Sequence, residues 1–157
     1  MPRTRVLAAM LPALALVAVG AVASANPTTT HTRYALRTTL APAPDAIGAA
    51  HAHGRFTGSI TLDGTTRTLR WTLTYAGLTG PATMAHIHLA PSGKILIPLC
   101  APCHTGQSGS FSRQLGGHSQ ILKAILGGHT YVNVHTGKNP AGEIRGDLHS
   151  AAAKSSY

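Results

Sequence analysis

The sequence is poor in negative charge. Only four of its 157 residues are Asp or Glu, against thirteen Lys and Arg. So few acids leave little scope for hydrolysis by paired carboxylates. Aromatic residues make up 4% of the chain. Nucleic-acid binding needs a basic stripe interleaved with stacking aromatics, and here the basic residues are scattered and aromatics are scarce. The two cysteines, Cys100 and Cys103, are too few for a multi-bridge scaffold, so a hydrophobic core must hold the fold. Gly106-Gln107-Ser108-Gly109 lacks the spacing of a G-x-S-x-G nucleophile elbow. The sequence also lacks a phosphate-cradling loop and internal repeats. These absences point away from an enzyme and toward a binding or structural module.

The N-terminus carries an export pattern. Arg3 and Arg5 precede an apolar stretch from Val6 to Val22, and Ala23-Ser24-Ala25 forms a small-residue cleavage site. Residues 1–25 are therefore expected to be a secretory signal peptide, cleaved before Asn26. The stretch is short for a membrane span and is interrupted by Pro12 and Gly20, so no stable anchor is expected after cleavage. No Cys stands at the cleavage site and the two arginines are not adjacent, which argues against lipidation and a twin-arginine route. A secreted, extracellular or periplasmic protein is expected. Without Arg3 and Arg5, eleven basic residues face four acids, a net charge of +7. A diffuse cationic surface of this kind suits an extracellular protein, a polysaccharide or an anionic surface as partner, in a salt-dependent way.

The mature chain has the length of one domain. Residues 26–37 read as a flexible polar leader, although Arg33 to Leu40 alternates weakly and has the character of an edge strand. The body of the domain is expected over 38–149, with a polar tail over 150–157. Phe56, Gly58, Ile60 and Leu62 alternate with polar residues, and Asp63-Gly64 is a hairpin signal. Leu69, Trp71, Leu73 and Tyr75 continue the alternation on the return strand. Further strands are expected over Thr83 to Leu89, Lys94 to Leu99, Ser110 to Leu115, Thr130 to His135 and Glu143 to Leu148. Ser119 to Leu126 is the one helix, capped by Ser119 and stopped by Gly127. This pattern predicts an all-β, antiparallel Greek-key β-sandwich or barrel, immunoglobulin- or superoxide-dismutase-like, with one short helix.

Three phrases carry the chemistry: AHIH (Ala85 to His88), YVNVHT (Tyr131 to Thr136) and PAGEIRG (Pro140 to Gly146). His86 and His88, two apart on a strand, share a face opposite Ala85, Ile87 and Leu89. His135 is the natural third member of a copper or zinc site. The alternative is structural, with imidazoles bonded to loop carbonyls or to a carboxylate such as Glu143. Glu143, Arg145 and Asp147 alternate along one strand face and read as a structural charge cluster. His51, His53, His104 and His118 read as surface residues. Cys100-Ala101-Pro102-Cys103-His104 admits a loop disulfide, thiol metal or redox chemistry, or the C-x-x-C-H attachment of a c-type haem electron carrier.

These phrases, with PAGEIRGDL extended to Leu148 and a short helix before Gly127-Gly128, resemble the CHRD domain family, named for chordin, in order and spacing. The resemblance runs from about Thr38 to Leu148. It implies an extracellular or periplasmic β-sandwich and does not imply an established enzyme activity; the expected role is that of a non-catalytic binding or structural module. The H-x-H strand is similar to the ligand strand of Cu/Zn superoxide dismutase, but the other ligands of that enzyme are missing. Dismutation is not inferred.

Overall fold

Strand alternation sets the architecture. The computed structural model describes residues 32–63, 66–114 and 120–152. The expected signal peptide, the expected leader residues 26–31, Gly64 of the expected hairpin turn, Leu115, His118, the expected cap Ser119 and residues 153–157 of the expected tail lie outside the described residues. Among the described residues, nine strands and one helix form a single antiparallel sheet that is nearly closed on itself.

The first three strands, β1 (Thr32–Pro42), β2 (His53–Asp63) and β3 (Thr66–Ala76), form a meander. The chain then crosses to the opposite wall, where β4 (Ala82–Leu89) pairs with β5 (Ile95–Cys100). It returns to place β6 (Gln107–Gln114) beside β3. After the helix α1 (Gln120–Leu126), β7 (Thr130–Thr136) inserts between β4 and β8 (Ile144–Asp147). The last strand, β9 (His149–Ala152), pairs with β1. This is the expected Greek-key class, with β5 and β6 at the two ends of the path.

The location of β1 differs from expectation. It is no edge strand: β2 runs along one side, while β9 and β8 share the other, pairing at Tyr34 to Arg37 and at Ala41-Pro42. Residues 32–37 therefore belong to the sheet and not to a leader. The tail expected from 150 likewise contributes Ser150 to Ala152 to β9. Both corrections have one cause. Ladder hydrogen bonds come from the backbone, so Thr- and Ala-rich residues pair without displaying an apolar signature.

Inward-facing residues of both walls fill the core. Leu36 and Leu40 of β1, Phe56 of β2, Leu73 of β3, Ile87 of β4, Val132 and Val134 of β7, and Ile144 of β8 are all buried. Trp71 lies across from Gly109, where an added Cβ would come within 2.5 Å of the indole; the strand pair therefore needs glycine there. The helix closes the seam between the end strands. Ile121, Leu122 and Ile125 share one void lining with Ile97 of β5 and Phe111 of β6. Among the described residues, no helix is long and apolar enough to cross a membrane. The helix ends at Leu126, as expected. Gly127 N still bonds to Lys123 O, and Gly128 takes the left-handed conformation, with φ +72°.

If the helix is the wedge of this seam, truncating its most buried residue should loosen the whole sheet. Ile125→Ala is expected to lower unfolding stability by about 2–4 kcal/mol, the range for a large-to-small core change. Urea denaturation followed by tryptophan fluorescence measures it. A loss below about 1 kcal/mol would show that the helix only rests on the surface.

Candidate metal centre

The site begins with alternation on two neighbouring strands. On β4, Ala85 and Ile87 face the core and are fully buried, which turns His86 and His88 to the other face. On β7, Val132 and Val134 face the core, so Tyr131, Asn133 and His135 share the outer face. The ladder sets Met84 opposite His135, His86 opposite Asn133, and His88 opposite Tyr131. His86 and His135 are therefore diagonal neighbours. Although they face away from the core, the histidines are 8%, 6% and 6% exposed for His86, His88 and His135.

The three rings converge. Their centroids are 5.1 Å apart for His86 and His135, 5.4 Å for His86 and His88, and 5.7 Å for His88 and His135. One ligand nitrogen from each lies within 4.8 Å of the other two. Bonds of about 2.0–2.1 Å to a common ion put nitrogens roughly 3.5 Å apart in a trigonal set, so capture requires ring rotations of about an ångström.

Hydrogen bonds fix the tautomers. His88 Nδ1 lies 2.8 Å from Gly93 O, and His135 Nδ1 lies 2.9 Å from Pro140 O. A carbonyl only accepts, so each Nδ1 carries the proton and each Nε2 carries a lone pair. His86 Nδ1 then donates to His135 Nε2 at 3.3 Å. The Nε2 of His88 is buried and has no protein partner. An imidazole that donates one N–H to a carbonyl and leaves its other nitrogen bare is oriented as metal-binding histidines are.

The electrostatics favour neutral rings. Burial lowers the pKa of His86 to about 4, helped by repulsion from His135 and His88. Burial also lowers that of His135, against the opposing bond to Pro140 and with a further push from His88. Neutral imidazoles have lone pairs to give a metal without first losing a proton.

The surrounding residues hold these rings in place. Tyr131 stacks on His88, with centroids 5.0 Å apart and planes at 10°, and the Arg145 guanidinium lies 3.8 Å from the Tyr131 centroid. The Gly93 carbonyl comes from a tight turn in which Gly93 N bonds Leu89 O, and Leu89 N bonds Lys94 O. The Pro140 carbonyl lies on the loop between β7 and β8. That loop is fastened by Glu143, which is fully buried. Its carboxylate accepts from Thr79 N, Thr79 Oγ1 and Thr136 Oγ1, each at 2.6 Å, and from Asn139 Nδ2 at 3.1 Å. Asn139 Oδ1 in turn accepts from Ile47 N at 2.7 Å.

The expected charge cluster therefore divides. Arg145 approaches Asp147 at 3.9 Å on the surface. Glu143 precedes β8 and turns to the loops, where four neutral donors compensate its charge and no arginine is needed. His51, His53 and His104 are exposed and away from the triad. The Cys100 and Cys103 sulfurs lie 2.00 Å apart, as a disulfide pair. Sequence reasoning missed the roles of Gly93, Pro140, Thr79 and Tyr131, because only the fold brings these groups to the histidines.

The Glu143 clasp yields a pH-dependent prediction. Burial alone would raise its pKa, but the bonds from Thr136, Thr79 and Asn139 outweigh burial and hold it below the ordinary glutamate value of 4.5. A depressed carboxylate contributes stability above its unfolded pKa and loses it as pH falls through the folded one. Wild-type stability should therefore show a Glu143-dependent decline below about pH 4.5. In Glu143→Gln an amide donor confronts donors, and stability at pH 7 should drop by about 3 kcal/mol with that part of the acid decline removed. Urea unfolding of both proteins at pH 7 and pH 3.5 checks this; equal stability at pH 7 would refute the clasp.

Compared with known protein families, residues 36–148 match the CHRD domain. No curated protein and no solved structure matches the chain.

Proposed function

The chain belongs to the CHRD domain family, and we propose that this member is an exported, non-catalytic module that binds one copper or zinc ion between His86, His88 and His135. The observation that carries the reading is the buried, partnerless Nε2 of His88, in a group of three imidazoles within ligand distance. Leaving a buried acceptor unpaired costs about 1–3 kcal/mol. A metal ion removes that cost and accounts for the fixed tautomers of His88 and His135. Three histidines with no general base or nucleophile beside them suit holding a metal better than turning over a substrate.

Export rests on the pattern of residues 1–25, and it places the Cys100–Cys103 pair in an oxidising compartment. The dispersed positive charge gives such a module a surface for acidic extracellular proteins, polysaccharides or anionic membranes.

A second reading has its own support. The bonds from His88 to Gly93 and from His135 to Pro140 each tie a loop to a strand, so the histidines fasten the fold even without metal. Titration separates the two. Wild-type protein should bind one equivalent of Zn(II) or copper, and a His86→Ala/His88→Ala/His135→Ala variant should bind none. At metal concentrations about 100 times Kd, the wild type should gain about 2.7 kcal/mol of unfolding stability and the variant nothing. If both proteins bind weakly and alike, and the variant merely unfolds sooner, the histidines are structural.

A further inference from the structure

We propose that Met84 supplies a thioether as the fourth ligand and that the site thereby selects Cu(I) over Zn(II). The inference rests on the three-histidine site of the preceding reading. It starts from register: Met84 is the cross-strand partner of His135 and stands two residues before His86 on β4. Directly paired residues of an antiparallel ladder point to the same side, with Cβ atoms about 4.5–5.5 Å apart. Residues two apart on a strand also share a face. Met84 is therefore on the outer face, bordering both His86 and His135. It is 39% exposed where the three histidines are buried, which places it at the rim of the group. A methionine side chain with three rotatable bonds can reposition its sulfur without disturbing the strand.

The charge of the site points the same way. The group holds three imidazoles and no carboxylate. Glu143 is engaged by Thr79, Thr136 and Asn139, and Asp147 pairs with Arg145. A buried site with no anionic ligand penalises a divalent ion more than a monovalent one, because desolvation grows steeply with charge. On the β5 side the histidines are bordered by apolar residues. Ile95, 50% exposed, pairs with His88, and Pro98 pairs with His86. Imidazole suits both copper and zinc, whereas thioether sulfur is a soft donor that selects Cu(I). Three imidazoles and one thioether form a soft donor set without an anion, which matches Cu(I) in charge and in donor type.

The test compares wild type with Met84→Leu, a change of similar volume at an exposed position that leaves the core untouched. Cu(I) and Zn(II) affinities are measured anaerobically by competition with chromophoric chelators, using the metals alone. Met84→Leu should weaken Cu(I) binding by at least about tenfold and change Zn(II) binding by less than about threefold. X-ray absorption of the Cu(I)-loaded wild type should show one sulfur scatterer near 2.3 Å that is absent in Met84→Leu, a length taken by analogy with metal–sulfur bonds of about 2.3 Å. Equal Cu(I) affinity in both proteins, with stoichiometric binding intact, overturns the role of Met84 and leaves the histidine site standing. If wild type binds neither metal, the histidine site itself fails, and the role of Met84 with it.

Discussion

A buried carboxylate without a cation is the constraint around which this fold is arranged. Glu143 is fully enclosed, and an isolated charge there would be prohibitively costly. Donors from Thr79, Thr136 and Asn139 make it tolerable. Those donors lie on two different connections: Thr79 follows β3, while Thr136 and Asn139 end β7 and begin the loop to β8. Backbone bonds extend the junction, with Glu143 N on Val134 O and Ala43 N on Glu143 O. Through Asn139 and Ile47 the clasp also holds the connection between β1 and β2. One ionised side chain thus sets the relative positions of three loops at one end of the sheet.

The histidine site inherits its geometry from that junction. Pro140 follows Asn139 directly, and its carbonyl accepts the hydrogen bond from His135 Nδ1. Gly142, with φ +127°, lets the backbone pass against the Asn133 side chain, where an added Cβ would clash. On the far side, the turn at Gly93 does for His88 what the Pro140 loop does for His135. Both rings are thereby oriented by backbone carbonyls, which cannot rotate away as side chains can. The site is pre-organised by loops, and the loops are held by a charge that lies outside the site.

Much of this was legible in the sequence, but unevenly. Alternation through Phe56 to Leu62, Leu69 to Tyr75, Ala85 to Leu89 and Val132 to His135 reveals the strands and the faces of the histidines, because a period of two records which side meets the core. The pairing of β4 with β7, which makes His135 the neighbour of His86, is not local information; the family phrases stood in for it. The central position of β1 was hidden because its partners β8 and β9 come about a hundred residues later. The role of Glu143 was misassigned for the same reason. Alternation groups it with Arg145 and Asp147, whereas its decisive donor, Thr79, is 64 residues away. The carbonyls of Gly93 and Pro140 could not have been chosen at all, since every residue carries one and only the folded loop aims it.

The central claim is that Gly93 and Pro140 fix the tautomers of His88 and His135 so that three imidazoles converge on one metal ion. Long-range proton–nitrogen correlation spectra of the histidine rings test it most directly, recorded before and after one equivalent of Zn(II). In the metal-free protein, His88 and His135 should be Nδ1-protonated with bare Nε2 atoms. On addition of metal, the ligating nitrogens of His86, His88 and His135 should shift together, while His51 and His53 keep their positions. Opposite tautomers at His88 or His135, or metal-dependent shifts confined to other histidines, would contradict the account.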